Sequence, residues 1–329
     1  MLSDVFIDRY EETTIWRVWS NAERKLLVQC SQIVSEDLFP KSIREGKDSN
    51  EGNWEKGSAL LCRELGCKSL YATRYQGANN TWWPYSVRQQ AINFLCQVPS
   101  DGDSADRFIK ARLSLVELMF RLFFERVSYM ENAQLPVGSF SHQSFLRDKS
   151  KLEEASTELN ARLARAGAPL NYHNGFIQIS RDTVVAAHVE RPFWSLVDHP
   201  RWANVDMEMK EAIDRRDSGQ SDAAFYAGKA LESAIKVIGH ERGWTTGKEK
   251  GGADHASNLW RAGGERMLEE WQVISLKYIF SRLRNPFGHG AGVDPPLALS
   301  PMEIDWAISM SMSWISLLVR THEQHIQAT

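Results

Sequence analysis

Residues 103–130 read DSADRFIKARLSLVELMFRLFFERVSYM, and this stretch decides the fold. Phe108, Leu113, Val116, Met119, Phe120, Leu122 and Phe123 recur at helical spacings and crowd most faces of a single helix with large apolar side chains. Asp103 or Ser104 can cap its first turn. A helix this apolar on most sides must be wrapped by others, which predicts the centre of a helical N-terminal domain.

The chain on either side keeps the helical period. Upstream, Ile15, Trp16, Trp19, Ala22, Leu26, Leu27, Cys30 and Ile33 form one stripe of about five turns, and Pro40 follows at the expected stop. The polar residues 41–54 predict an exposed loop, followed by helices over about 56–66 and 85–97 with a break at Trp82-Trp83-Pro84. Downstream, 143–166 predicts a more polar helix stopped by Gly167. The period then changes: Asn174-Gly175, flanked by extended-type residues, is the best hairpin signal in the chain. A connecting helix over 203–216 ends at Gly219, and four more follow at roughly 220–242, 255–263, 267–284 and 301–325. The expected architecture is mainly α: a helical domain over 1–166, a hairpin-containing connector over 167–218, and a helical bundle over 219–329.

Composition bounds the function. A length of 329 residues suits about two domains, and 43% hydrophobic with 25% charged residues excludes wholesale disorder. A net charge of -3 argues against a protein that coats nucleic acid, while leaving room for a local basic site. No apolar run approaches a membrane span, and the opening MLSDVFIDRYEE carries acids where a signal peptide needs lysines and an apolar core, so a soluble cytoplasmic protein is expected. Cys30, Cys62, Cys67 and Cys96 show no Cys-x-x-Cys spacing and no neighbouring histidine, and read as buried reduced thiols on helices.

Several chemical motifs fail on inspection. Gly243-x-x-x-Gly247-Lys248 is one residue short of a phosphate loop, with Glu249 where a magnesium-holding Ser or Thr belongs. His322 and His325 are three apart, not the four of a zincin helix, and His240 and His255 read as structural. One segment stands apart: Tyr278-Ile-Phe-Ser-Arg282-Leu-Arg284-Asn285-Pro286-Phe-Gly288-His289-Gly290. Pro286 ends the helix, and the two glycines let the backbone turn on either side of His289. A permanent cation beside a group that titrates near neutrality suits phosphodiester cleavage, with arginine gripping the phosphate and histidine moving protons. The alternative is a helix C-cap in which arginine complements the dipole and histidine packs.

Arg284-Asn285-(x)3-His289 resembles the Arg-(x)4–6-His signature of HEPN domains, helical bundles found in many RNA-cleaving defence and toxin proteins. With Ala230-Leu231-Glu232-Ser233-Ala234-Ile235-Lys236 ahead of it, the order looks like the C-terminal domain of bacterial abortive-infection proteins. The first half, with its MLSDVF start, long helices and later hairpin, looks like an AbiJ-type N-terminal domain. The resemblance implies a four-helix HEPN bundle and a metal-independent endoribonuclease that needs no cofactor and leaves 2′,3′-cyclic phosphate and 5′-hydroxyl ends. It implies Arg284 as transition-state stabiliser, His289 as the residue serving the 2′-hydroxyl or leaving oxygen, Asn285 as an orienting neighbour, and Glu232 as the acid facing the arginine. Lys236 sits four residues after Glu232, where a solvated ion pair is the plain reading, and Lys248 and Lys250 lie in a Gly-rich loop; these lysines are candidate RNA contacts. The last helix carries Met302, Ile304, Trp306, Ile308, Met312, Trp314, Ile315, Leu318 and further apolar residues, more than one face can bury, which points to a homodimer, the alternative being that the N-terminal domain covers the excess in cis. The implied partners are an RNA substrate, a second copy, and a phage-derived or protein trigger at the first half. The alternative function is a non-catalytic dimerisation or interaction module in a defence complex.

Overall fold

The computed structural model describes residues 4–44, 47–77, 79–133, 135–180, 182–261, 267–284 and 299–328; at residues 44, 183, 261, 283, 284 and 326–328 it describes the backbone alone. The chain is mainly helical and divides into two units, Met1–Ser180 and Arg181–Thr329, each with its own apolar core.

In the first unit the elements are α1 (Phe6–Arg9), α2 (Asn21–Gln32) with a π-helical extension (Ile33–Leu38), α3 (Glu51–Glu64), α4 (Val87–Cys96), α5 (Ala105–Asn132) and α6 (Phe140–Arg165). Three two-stranded antiparallel ladders join them: β1–β2 (Ile43–Arg44 with Lys47–Asp48), β3–β4 (Arg74–Gln76 with Trp82–Pro84) and β5–β6 (Leu170–His173 with Phe176–Ile179). Helix α5 is the centre, as its sequence predicts. Ser104 caps it by accepting from Arg107 N, and α1, α2, α3, α4 and α6 all pack on it.

Polar residues are buried in α5 as well, which the apolar count does not foretell. Glu117 is fully buried, accepting from Arg9 Nη1 and Nη2 (3.2 and 2.5 Å), Arg121 Nη2 (2.8 Å) and Ile177 N (2.7 Å). Lys110, 1% exposed, is held by Asp106 and donates to Tyr10 O and Thr13 O at 2.7 and 2.6 Å. Together these groups pin the segment from Tyr10 to Trp16 and the β5–β6 hairpin to one helix. Buried charges persist only when paired and hydrogen-bonded, and these are.

Four expectations are corrected here. The stripe from Ile15 does not begin a helix at that residue. Ser20 and Glu23 form a capping box that starts α2 at Asn21, while Ile15 N and Trp16 N donate to Asp106 Oδ1 outside any helix. Residues 41–54 are not simply an exposed loop: they hold β1–β2 and the start of α3, and Trp54 is fully buried edge-on to Phe39. Trp82-Trp83-Pro84 is a strand rather than a break. The Asn174-Gly175 hairpin forms as expected, with φ of 41° and 88° at its two turn residues. It packs on α5 and α6 within the first unit rather than standing in a connector.

The second unit contains α7 (Thr183–Val185) leading into a π turn (Ala186–Glu190), α8 (Arg191–Leu196), a 3-10 turn (Pro200–Trp202), α9 (Ala203–Asp217), α10 (Ala223–Glu241), α11 (Gly252–Arg261), α12 (Glu270–Ile279) continued by a π turn (Phe280–Arg284), and α13 (Pro301–Ala328). Helix α9, expected in the connector, packs along α10 as part of this core. Helix α10 is central: α9, α11, α13 and the Phe280–Arg284 turn all contact it. Among the described residues no helix is long and apolar enough to cross a membrane.

Candidate functional site

The candidate site is built on α10 and the helix that packs across it. Ala227, Ala230, Leu231, Ala234 and Ile235 are fully buried, leaving Lys229, Glu232, Ser233 and Lys236 as a polar stripe at three- and four-residue spacing. Glu232 is 4% exposed and pairs with Lys236 Nζ at 2.7 Å. One turn earlier, Lys229 Nζ lies 3.4 Å from Glu208 Oε1, and Ser233 Oγ donates to Glu208 Oε2 at 2.7 Å. Both carboxylates are sunk into the unit while both ammonium groups keep half their surface in water. Sequence spacing found the Glu232–Lys236 pair. It missed Glu208 and Ser233, because Glu208 comes from α9 and no local pattern announces a partner 25 residues away.

Helix α12 reaches this region and changes pitch. At Phe280 the α-helix gives way to a π turn ending at Arg284, and this turn packs against α10 and α11. Phe280, 1% exposed, is wedged so tightly that a Cβ on Gly252, the first residue of α11, would lie 2.8 to 3.0 Å from its ring. The turn is thus fixed from beneath by a buried ring. Its outer side carries Arg282, whose guanidinium lies 5.4 Å from the centre of the exposed Tyr278 ring. Of the sequence-derived site residues, Arg284 is placed here by its backbone; Asn285 and His289 lie outside the described residues.

Lys248 and Lys250 are exposed in the loop between α10 and α11. The group that organises this loop is Glu249. Its Oε1 accepts from Thr246 N, Thr246 Oγ1 and Asn258 Nδ2 at 2.7, 2.8 and 2.6 Å, and these bonds hold its carboxyl well below the usual carboxylate range. The loop is tethered to α11, so the two lysines project from a defined turn.

A second polar cluster was not legible in the sequence. His322, 1% exposed, accepts at Nδ1 from Arg242 Nε (3.1 Å), which leaves its hydrogen on Nε2 to be donated to Glu241 Oε2 at 2.6 Å. Arg242 Nη2 also donates to the His322 carbonyl, and Arg201 pairs with Glu323 at 2.7 Å. The ring is sealed from solvent and satisfied at both nitrogens, so it ties the end of α10 to α13. Among the described residues no three His, Cys, Asp or Glu side chains are grouped to hold a metal ion.

Exposed apolar side chains mark two helices. Trp271, Ile274 and Tyr278 are 65%, 60% and 62% exposed and fall on one face of α12, and Met302 and Trp306 are 81% and 58% exposed on α13. The apolar excess read in the last helix is therefore left in part at the surface.

The model of the family AbiJ N-terminal domain 4 matches residues 4–195. The match runs through the whole first core and past its end at Ser180 into α8 of the second unit. No curated protein and no solved structure matches the chain significantly.

Proposed function

Because the chain belongs to the AbiJ N-terminal domain 4 family of abortive-infection proteins, we propose that its first unit registers infection and that its second unit then cuts RNA. In this reading the second unit is a HEPN-type endoribonuclease working at the Arg284-(x)4-His289 segment. The 2′-hydroxyl attacks the adjacent phosphorus, the bond to the 5′-oxygen breaks, and a 2′,3′-cyclic phosphate and a 5′-hydroxyl result. Arg284 stabilises the charge that builds on the phosphoryl oxygens. His289 passes a proton to or from the reacting oxygens. Asn285 orients its neighbours, Glu232 steadies the arginine, and Lys236, Lys248 and Lys250 receive the RNA backbone. Proton transfer and a fixed cation suffice for this step, so neither a metal ion nor a cofactor is required. The protein works in the cytoplasm as a homodimer paired through the second unit.

The observation that carries the reading is the packing of the Phe280–Arg284 π turn on α10, the helix in which Glu232 is buried. π turns are rare and concentrate at functional sites. The turn that ends at Arg284 packs on the element that holds a sunken, ion-paired carboxylate, which supports this reading. The exposed face of α12 favours the second reading, a non-catalytic dimerisation module, equally well. His289→Ala separates the two. With full-length protein and labelled RNA, the nuclease reading expects cleavage to fall ~10²–10⁴-fold with folding intact. Cleavage equal to that of the parent, or none by the parent under activating conditions, supports the module instead.

A further inference from the structure

Helix α3 ends on the hexapeptide Cys62-Arg63-Glu64-Leu65-Gly66-Cys67. Gly66 takes φ +65°, Cys67 N donates to Cys62 O at 2.9 Å and Gly66 N to Arg63 O at 3.3 Å. This is a Schellman closure, in which the residue after the left-handed glycine folds back beside the residue five positions earlier. That slot usually joins two apolar side chains. Here both are cysteines, brought to the same closure by the backbone hydrogen bond between them, and the Cys62 thiol is pushed up to about 12 by burial and then by the neighbouring Cys67. The expectation of buried thiols on helices holds for Cys30; Cys67 and Cys96 are exposed, and Cys67 lies beyond the helix end.

We propose that Cys62 and Cys67 are a redox modification site, a dithiol that closes to a disulfide when the protein meets a hydroperoxide. Cys67 is the attacking sulfur because it is the exposed one. Its thiolate displaces hydroxide from hydrogen peroxide and becomes a sulfenic acid. Cys62 then attacks that sulfur, a second hydroxide leaves, and the S–S bond forms. The net change is two thiols and one peroxide to one disulfide and two waters, with two electrons passing from sulfur to peroxide. The backbone is already in place, because the hydrogen bond between the two residues sets the close approach a disulfide needs. Any cellular dithiol reopens the bond. The site lies within the family-matched unit and would give that unit a chemical input.

The test uses reduced full-length protein treated with hydrogen peroxide, blocked with an alkylating reagent and cut with trypsin. Cleavage after Lys56, Arg63 and Lys68 puts the two cysteines on separate peptides, 57–63 and 64–68. A disulfide therefore appears as these two peptides linked, less two hydrogens, and it disappears with dithiothreitol. The four free thiols are expected to fall by two. Cys67→Ser, an exposed change checked for folding by circular dichroism, should abolish the link, and Cys62→Ser should leave a sulfenic acid on Cys67 that dimedone traps. The proposal is overturned if all four thiols survive, if Cys67 pairs with Cys96 or with another chain, or if Cys67 runs on to sulfinic acid while Cys62 stays free.

Discussion

Gly252→Ala tests whether the Phe280–Arg284 turn is held where the fold places it. The added methyl would lie 2.8, 2.9 and 3.0 Å from Cε1, Cδ1 and Cζ of Phe280, where ordinary contact begins at 3.4 Å. Something must move by up to 3.4 − 2.8 = 0.6 Å. Phe280 is 1% exposed and has no open side to retreat into. Overpacking of this kind costs about 1–3 kcal/mol, and the smaller entropy of the unfolded alanine chain returns about 0.4–1 kcal/mol of it. A net loss of about 1–2 kcal/mol is expected, read by urea denaturation of the full chain with a signal confined to the second unit. The ring is the obstacle, so Phe280→Leu should relieve it: the double variant should be less destabilised than the sum of the two singles by about 1 kcal/mol. If the two changes add, or if Gly252→Ala is as stable as the parent, the wedge beneath the turn is not what positions it. RNA cleavage measured on the same variants asks whether a shift of this size reaches Arg284, since misplacing a catalytic group by about 1 Å can cost about 10²-fold.

Glu117→Gln should destabilise the first unit by about 3–5 kcal/mol, because an amide nitrogen would face guanidinium or backbone donors that now meet a buried carboxylate oxygen; a loss under 1 kcal/mol in equilibrium unfolding would refute this. Glu249 has a depressed carboxyl, so its contribution is present above the unfolded value of 4.5 and is lost as pH falls toward the folded value. Stability profiles of the parent and Glu249→Gln should therefore converge below that pH and separate above it, and parallel profiles would count against the assignment. RNA cleavage should persist in excess chelator and yield cyclic-phosphate ends; activity lost to chelator and restored by magnesium or manganese would point to another mechanism.

The helices were legible where apolar side chains alone set the period. Helix α5 announced itself through Phe108 to Phe123, and Gly167, Gly219 and Asn174-Gly175 marked their stops and turn because their backbone angles suit those residue types. What stayed hidden depends on partners far along the chain. Nothing near Glu117 in sequence says that it will be buried, because Arg9 and Ile177 satisfy it from 108 and 60 residues away. The same holds for His322, read as half of a failed metal motif, whose partners Glu241 and Arg242 are about 80 residues upstream. The π turn left no trace in the pattern either, since one extra residue in a turn looks like continued helix. Residue spacing drew attention to Arg284 and Glu232, and only the fold shows that the turn ending at one packs on the helix carrying the other.

The tie between Arg9 and the β5–β6 hairpin also orders events during synthesis. Arg9 Nη2 donates to Ile177 O, a contact spanning 168 residues, and Glu117 stays short of an acceptor's full set of donors until the Ile177 amide arrives. At ~5–20 residues per second the ribosome needs roughly 8–34 s to cover that interval. The first core therefore cannot close while it is being made; its earliest and latest strands of chain must meet. Yet it can close before translation reaches Arg284, about a hundred residues further on. A nascent chain can thus complete its first core before the arginine of the proposed cutting segment is made, an order that would place the unit proposed to govern that activity ahead of it.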